Sequence, residues 1–154
     1  MNIMVVSPWF PSPPFGGALI RVYETLRHLS RRHRLTLVAP IAVPRSPEHL
    51  AALAPLCETV VPVPVSESGP AVLRRMAAGF VRGMPLIQGL HRNRHMAQQI
   101  HRLTSSNAYD VIHIEHSFMA PYLASVSSRS HARTVLSMHN IESLRFRREL
   151  LMTP

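Results

Sequence analysis

The first 34 residues constrain the fold of this chain more than any other stretch. Ile3-Met4-Val5-Val6 has the length and β-branched content of a buried strand, and Ser7 to Gly17 forms a loop rich in proline and glycine. The next segment has apolar residues at the i, i+3, i+4, i+7 and i+10 spacing of one helix face: Leu19, Val22, Tyr23, Leu26 and Leu29. The stretch therefore predicts a strand, a loop and a helix whose N-terminus points to the carboxyl edge of a sheet, where open α/β sheets bind ligands.

Four later segments have the pattern of further strands, with helical segments between them. The strands are predicted at Leu35 to Pro40, Glu58 to Val65, Val111 to Glu115 and Arg133 to Met138. Pro40 is expected to end the second strand, and Pro62 and Pro64 favour an edge position for the third. Helices are predicted from Ser46-Pro47 to about Leu56, over Pro70 to Arg82 and Arg92 to Ser105, after a Ser117 cap, and from an Asn140 cap to Leu151. This alternation predicts an α/β protein with a doubly wound parallel sheet of about five strands and helices on both faces.

Composition favours one globular domain in a reducing compartment. The 154 residues are 46% hydrophobic and 16% charged, which is typical of a folded domain. Cys57 is the single cysteine, so an internal disulfide is excluded and a cytoplasmic location is expected. No apolar run has the roughly 18 residues needed to cross a bilayer.

The net charge of +9 predicts anionic partners. All 17 cationic residues are arginine, which suits phosphorylated substrates, anionic lipid headgroups or nucleic acid. Pro70 to Arg82 is a short basic amphipathic helix, and two interpretations stay open: it covers the sheet, or it contacts an anionic membrane surface as a peripheral anchor. The arginines are scattered and no nucleic-acid-binding motif occurs, so a specific nucleic-acid partner is not expected.

Three clusters of candidate functional residues follow predicted strands. They are the pair Gly16-Gly17, the triplet Glu115-His116-Ser117, and the segment from His139 to Glu142. Because the carboxyl ends of parallel strands share one edge, we expect these clusters to converge on one cleft.

Each cluster also has a purely structural interpretation. Gly16 and Gly17 either form a turn or let a phosphate or sugar hydroxyl approach backbone N–H groups. Glu115 is costly to bury without a partner, and His116 is the leading candidate for proton transfer. The third cluster either caps a helix through Asn140 and Glu142 or binds a hydroxylated acceptor through His139 and Glu142.

Several cofactor classes lose support from the motifs. The glycine pair matches neither the dinucleotide signature G-x-G-x-x-G nor the phosphate loop G-x-x-x-x-G-K-[ST]. The H-x-E-H run at His113 to His116 lacks the H-E-x-x-H spacing of a helical zinc site. We therefore expect no bound cofactor and no metal ion.

Three motifs together resemble the N-terminal half of a GT-B glycosyltransferase of family 4. They are V-V-S-P-W-F-P-x-P-P-x-G-G-A-x-x-R at Val5 to Arg21, Y-D-V-I-H-I-E-H at Tyr109 to His116, and V-L-S-M-H-N-I-E at Val135 to Glu142. The resemblance covers nearly the whole chain. It implies a Rossmann-like, acceptor-binding domain that faces a second domain holding a nucleotide sugar, and transfer with retention of configuration and without a metal.

The resemblance also implies roles for individual residues. Gly16 and Gly17 resemble the glycine loop near the donor phosphates, with Arg21 and Asn140 on the substrate-binding side. His116 resembles the histidine near the transferred sugar, and Glu115 stands where a second histidine is common, so the two assignments are exchangeable. His139 and Glu142 resemble the acceptor-side H-x-x-E of some bacterial members.

The donor-binding Glu-x7-Glu pair of that family does not occur in this sequence. The sequence also ends at the tail of a predicted helix, so we expect a domain truncated at its C-terminus. The prediction is the acceptor half of an enzyme that transfers sugar to a glycan or lipid-linked acceptor, inactive or nearly so alone. The alternative is a non-catalytic subunit that recruits a separate donor-domain chain or a membrane surface.

Overall fold

A computed structural model describes residues 1–42, 47–66, 68–138 and 151. The strands are β1 (Asn2–Val6), β2 (Arg34–Ala42), β3 (Thr59–Val65), β4 (Val111–Glu115) and β5 (Arg133–Ser137). The helices are α1 (Gly16–Leu29), α2 (Pro47–Ala51), α3 (Gly69–Val81), α4 (Leu86–His91) and α5 (Arg94–Ser106), with a 3-10 helix at Ser117–Ser125. The predicted Ser46 cap and the predicted helix after Asn140 lie outside the described residues.

The five strands form one parallel sheet in the order β3-β2-β1-β4-β5. Val6 pairs with Val38 of β2 on one side and with Ile114 of β4 on the other. The predicted α/β fold is confirmed, and β3 lies at an edge as its prolines indicated.

Each face of the sheet has its own apolar core. On one face, α1 and the turn after α2 pack on alternate residues of β1 and β2. This cluster includes Val22 and Leu26 of α1 and Leu53 after α2, all 0% exposed. On the other face, α5 and the 3-10 helix cover the remaining residues of β1 and β4, with Met96, Ile100 and Met119 buried. Strand residues alternate between the two clusters because successive side chains of a strand point to opposite faces. The prediction of helices on both faces is confirmed.

The predicted end of β2 at Pro40 is wrong, since the strand continues to Ala42. Pairing with β1 stops at Val38, so beyond it β2 pairs with β3 alone. A strand that is paired on one side has room for a residue that lacks an N–H donor.

The predicted helix cap at Ser117 is also wrong. Ser117 is the first residue of a 3-10 helix, and His116 occupies the cap position without a side-chain cap bond. Pro121 lies inside this segment, and its missing N–H and its ring are incompatible with the interior of an α-helix. The tighter 3-10 winding, which uses i to i+3 bonds, replaces the α-helix there.

Helices α3 and α4 form a hairpin in which the two helices pack against each other through glycines. The turn between them includes Gly83 at φ +66°, and α4 was not predicted. Gly79 of α3 and Gly89 of α4 are the buried residues of these two helices, and a Cβ on Gly79 would lie 2.6 Å from the Gly89 Cα. The two backbones therefore touch directly.

In the described part of the chain, no helix is long and apolar enough to cross a membrane.

Candidate functional site

The strand order places a topological switch point between β1 and β4. From β1 the chain continues to β2 on one side, whereas β4 pairs with the opposite side of β1 and leads on to β5. The loop after β1 and the backbone of His116 after β4 leave the sheet at this point. Open parallel sheets bind ligands in the crevice at such a point, so the fold directs attention to these two connections.

The backbone of His116 is held in an uncommon conformation. Its φ of 70° is positive, which for a residue with a side chain costs on the order of 1–3 kcal/mol. Its N–H donates a 2.8 Å hydrogen bond to the Ser137 carbonyl oxygen at the end of β5. Surrounding structure thus fixes the position of His116, as is common at binding and catalytic sites.

The His116 side chain belongs to an aromatic cluster formed with Trp9, His91 and Phe118. The Trp9 ring meets the His116 ring edge to face with centroids 4.9 Å apart, and Phe118 stacks on the same imidazole at 5.0 Å. His91 stacks on Phe118 at 4.6 Å and meets Trp9 at 5.6 Å. His116 is 4% exposed, so this cluster encloses the residue that the motifs nominate for sugar contact.

His91 is held neutral within this cluster. Burial, together with the positive charge of Arg75, lowers the pKa of His91 from 6.5 to about 4. At neutral pH its ring therefore stacks on Phe118 as an uncharged imidazole. Sequence reasoning did not identify His91, because it lies in the short helix α4 that the sequence pattern did not predict.

Glu115 lies beside His113 on the face of the sheet that α1 covers. The distance from Glu115 Oε1 to His113 Nε2 is 3.5 Å, and the Glu115 side chain is 1% exposed. The neighbouring imidazole offsets part of the cost of burying the Glu115 side chain. Glu115 and His116 therefore differ in surroundings: the carboxylate pairs with an imidazole, and the imidazole of His116 packs between rings.

Arg21 connects α1 to the ends of β4 and β5. Its Nη2 donates to Ser137 Oγ at 3.5 Å, and Ser137 lies opposite Glu115 in the β4–β5 register. Because His116 also bonds to the Ser137 backbone, Arg21, Glu115 and His116 gather around one residue. We call this group, with the N-terminus of α1, the switch-point rim.

The two glycines begin α1 one turn before Arg21. Gly16 has φ +72°, a conformation that glycine adopts readily, so the backbone turn alone accounts for a glycine at this position. Gly17 has no such requirement, and no atom lies within 4 Å of a Cβ built at either position. The preceding Phe15 provides no side-chain cap, and Gly16 and Gly17 are both exposed, so the first N–H groups of α1 receive no bond from a cap side chain. The predicted His139, Asn140 and Glu142 lie outside the described residues.

Two neighbouring cavities, which share Arg75, Arg92 and Asn93 in their linings, were not predicted. A cavity of about 450 Å³ is bordered by α3, α4, the start of α5 and the 3-10 helix, and it is lined by Arg75, Arg82, Arg92, Arg94, Phe118 and Tyr122 among others. A second cavity of about 240 Å³ lies at the ends of β1, β2 and β3 and shares Arg75 and Arg92. Gly16, Gly17, Arg21, Glu115 and His116 line neither cavity.

Tyr122 joins the elements around the larger cavity. Its hydroxyl donates to the His91 carbonyl oxygen at 2.8 Å and accepts from the Asn93 N–H at 2.7 Å. Burial raises the pKa of Tyr122 to about 12, so the phenol keeps its proton and this donor role. The Asn93 side chain in turn caps α5 by accepting from the His95 and Met96 N–H groups.

A sequence signal for the larger cavity was present. From Ser68 to Tyr109 the chain contains arginines 74, 75, 82, 92, 94 and 102 and neither aspartate nor glutamate. Such a run leaves arginines without a local carboxylate, which favours an anionic ligand. Among the residues that the structure describes, no three His, Cys, Asp or Glu side chains form a metal-binding group.

No family model matches this chain, and no curated protein sequence matches it.

Proposed function

We propose that this chain is the acceptor-binding half of a retaining sugar transferase, with the acceptor at the switch-point rim. The acceptor is a glycan or a lipid-linked saccharide, and the donor is a nucleotide sugar held by a second domain or chain. The proposal is carried by one observation: the Arg21 side chain and the His116 backbone meet at Ser137, beside the β1–β4 switch point.

The groups at the rim fit a hydroxylated, partly anionic ligand. Arg21 is exposed and offers guanidinium donors, and the uncapped N-terminus of α1 offers backbone N–H groups. Gly17 leaves room for close approach to those groups. In this proposal Glu115 and His116 position Ser137 and the rim from beneath, because the two residues are only 1% and 4% exposed. No cofactor or metal takes part.

Binding of saccharides by the isotope-labelled chain tests the proposal. A panel of neutral saccharides, glycosyl phosphates and nucleotide sugars at millimolar concentration is titrated while backbone amide resonances are recorded. An acceptor is expected to shift the amides of Gly17, Arg21, His116 and Ser137, whereas a nucleotide sugar alone is expected to bind weakly and to be transferred slowly or not at all. The reason is that this sequence lacks the Glu-x7-Glu pair.

Arg21→Ala and Arg31→Ala form the matched pair of variants. Both arginines are exposed, but Arg31 lies beyond the C-terminus of α1, at the opposite end from the rim. Loss of a charged hydrogen bond at the site is expected to weaken acceptor binding about tenfold in Arg21→Ala. Arg31→Ala is expected to bind like the unaltered chain. Absence of saccharide binding at the rim, or equal loss in both variants, contradicts the proposal.

We also propose a second function, attachment to an anionic membrane surface on its cytoplasmic side through the α3–α4 hairpin. Large apolar side chains are exposed there beside arginines: Leu73 at 68%, Phe80 at 74%, Val81 at 84% and Leu86 at 55%. The adjacent Arg74 and Arg82 are exposed as well. Apolar and basic groups on one helical surface are what an interfacial contact needs.

Vesicle sedimentation distinguishes membrane attachment from the alternative in which the hairpin only packs over the sheet. Vesicles with anionic lipid are expected to bind the chain more strongly than neutral vesicles. Phe80→Ser is expected to lower the bound fraction about fivefold, because about 1 kcal/mol of interfacial burial is lost. Phe15→Ser is the control, since Phe15 is 75% exposed but lies beside α1. Equal binding of both variants contradicts attachment through the hairpin.

A further inference from the structure

The cavity of about 450 Å³ beneath the α3–α4 hairpin combines concentrated positive charge with an apolar lining. Four arginines line it: Arg75 from α3, Arg82 directly after α3, Arg92 from the link between α4 and α5, and Arg94 from the first turn of α5. Phe118 and Tyr122 of the 3-10 helix line it as well. We call this space the arginine cavity.

The arginines of this cavity are not neutralised by carboxylates in the described part of the chain. Arg75 Nη1 donates to the Ser66 carbonyl oxygen at 2.8 Å, and its Nε is buried without a hydrogen-bond partner among the described residues. Arg82 Nη1 donates to the Ala78 carbonyl oxygen at 3.0 Å, and Arg92 Nη1 contacts Met84 Sδ at 3.4 Å. Arg82, Arg92 and Arg94 are exposed to solvent, whereas Arg75 is partly buried. Among the described residues no carboxylate pairs with these four arginines, so their donors remain available to an anion.

The surrounding groups also favour negative charge. The N-terminus of α5, with its positive dipole end, lies at the cavity through Asn93 and Arg94. Burial, and in addition the positive charge of Arg75, lowers the pKa of His91, which precedes Arg92. Guanidinium forks match phosphate oxygens in geometry, and several of them together favour a multiply charged group over a single carboxylate.

We propose that the arginine cavity binds a phosphate or diphosphate ester whose organic part packs on Phe118 and Tyr122. The ester is either a soluble molecule or the headgroup of a lipid that reaches the cavity beside the exposed hairpin. This site is separate from the switch-point rim and does not depend on the proposed sugar transfer. Phe118 connects the two places, since it lines the cavity and stacks on His116.

Trp9 provides a built-in probe for binding. It is the single tryptophan of the chain, and it contacts both Phe118 and His91. Inorganic pyrophosphate is titrated into the full chain at physiological salt while Trp9 fluorescence and heat are recorded, since that salt screens exposed charges. In a second arm, vesicles containing phosphatidic acid, whose headgroup is a phosphate monoester, are compared with vesicles carrying equal charge as phosphatidylserine.

Three arginine variants locate the site. Arg75→Gln and Arg92→Gln each remove a cavity guanidinium, and each is expected to weaken binding about tenfold, the loss typical of one charge-assisted hydrogen bond. Arg102→Gln removes the same charge from the exposed surface of α5 outside the cavity, and it is expected to bind within about twofold of the unaltered chain. Arg92 is exposed, so Arg92→Gln keeps the test valid if Arg75→Gln does not fold.

The outcomes separate the two sources of the ester. Pyrophosphate binding that Arg75→Gln or Arg92→Gln weakens and Arg102→Gln spares supports a soluble ester. The same variant pattern seen only with phosphatidic acid vesicles supports a lipid headgroup. Equal loss in Arg102→Gln, equal binding to both vesicle types without pyrophosphate binding, or no binding in either arm overturns the proposal.

Discussion

The centre of the sheet and the α3–α4 hairpin bury opposite kinds of residue. Strands β1 and β4 bury large apolar side chains, and Met4, Ile112 and Ile114 are 0% exposed. The hairpin buries Gly79 against Gly89 and leaves Leu73 and Phe80 in solvent. The sheet centre therefore holds the fold together, whereas the hairpin keeps its side chains available for contacts outside the molecule.

The two regions also differ in how their charges are compensated. At the sheet, Glu115 contacts His113 at 3.5 Å. At the hairpin, described contacts of Arg75 and Arg82 go to backbone oxygens. Among the described residues no carboxylate pairs with these arginines. Positive charge beside exposed apolar surface is typical of a binding region, so replacing these arginines should weaken binding more than it lowers stability.

The largest expected effect is at the sheet centre. Ile114→Ala removes a side chain that is buried in the cluster beneath α5 and the 3-10 helix, and it leaves a cavity. The free energy of unfolding is expected to fall by about 2–5 kcal/mol. Urea unfolding measures this loss. A change in unfolding free energy near zero would contradict the view that the sheet centre, and not the hairpin, stabilises the fold.

The next effect is at the glycine contact of the hairpin. Gly79→Ala places a methyl group 2.6 Å from the Gly89 Cα, so the helices must separate, at a cost of about 1–3 kcal/mol. Faster tryptic cleavage at Arg82 is expected with the lower unfolding free energy. The control is Gly69→Ala, where no atom lies within 4 Å of the added Cβ, and no such change is expected there.

A pH effect is expected where the two regions meet. The pKa of His91 is about 4 in the folded chain against its ordinary 6.5, so unfolding takes up a proton between these values. The stabilising contribution is present above pH 6.5 and is lost as the pH falls toward 4, by about 1–2 kcal/mol after solvent screening.

His91→Phe is expected to flatten this part of the stability profile while it keeps an aromatic ring on Phe118. His95→Gln is the matched control, because His95 is exposed on α5 and lies outside the aromatic cluster. Unfolding curves between pH 4 and 7 measure both variants. A profile for His91→Phe as steep as that of the unaltered chain would show that other groups cause the loss.

The smallest effect is expected on the outer surface of the hairpin. Leu73 is 68% exposed, so Leu73→Ser should change the unfolding free energy by less than about 0.5 kcal/mol. The same variant should lower vesicle binding if the hairpin contacts a membrane. A stability loss close to that of Ile114→Ala would mean that this surface is buried in solution, for example against another chain.

Local patterns predicted most of the fold. The stripe through Val22 and Leu26 located α1, and the prolines of β3 located a sheet edge, because periodicity and the missing proline N–H act within a single element. The predicted strand end at Pro40 and the predicted helix cap at Ser117 were wrong because each prediction considered one element alone. Whether a proline or a cap residue has its usual effect depends on the neighbouring strand and on Pro121, which act beyond the immediate residue.

The functional roles of the candidate site residues stay predictions, and the structure shows only where those residues lie. The motifs named Arg21, Glu115 and His116, and these do gather around Ser137. The motifs did not name His91 or the arginine cavity, since the groups that form it come from α3, α4, α5 and the 3-10 helix. A cavity formed by elements that are distant in sequence produces no short sequence motif, so it cannot be predicted from local patterns.

The sequence by itself determined the alternation of strands and helices, the two-faced burial of the central strands and the acid-free run of arginines, since each follows from residue type and spacing. Only the tertiary structure decided the positive φ of His116, the enclosure of its ring by Trp9 and Phe118, and the backbone contact of Gly79 with Gly89. The physical reason is that strain, ring stacking and close backbone approach exist only when remote segments are packed together, and packing is a property of the whole chain.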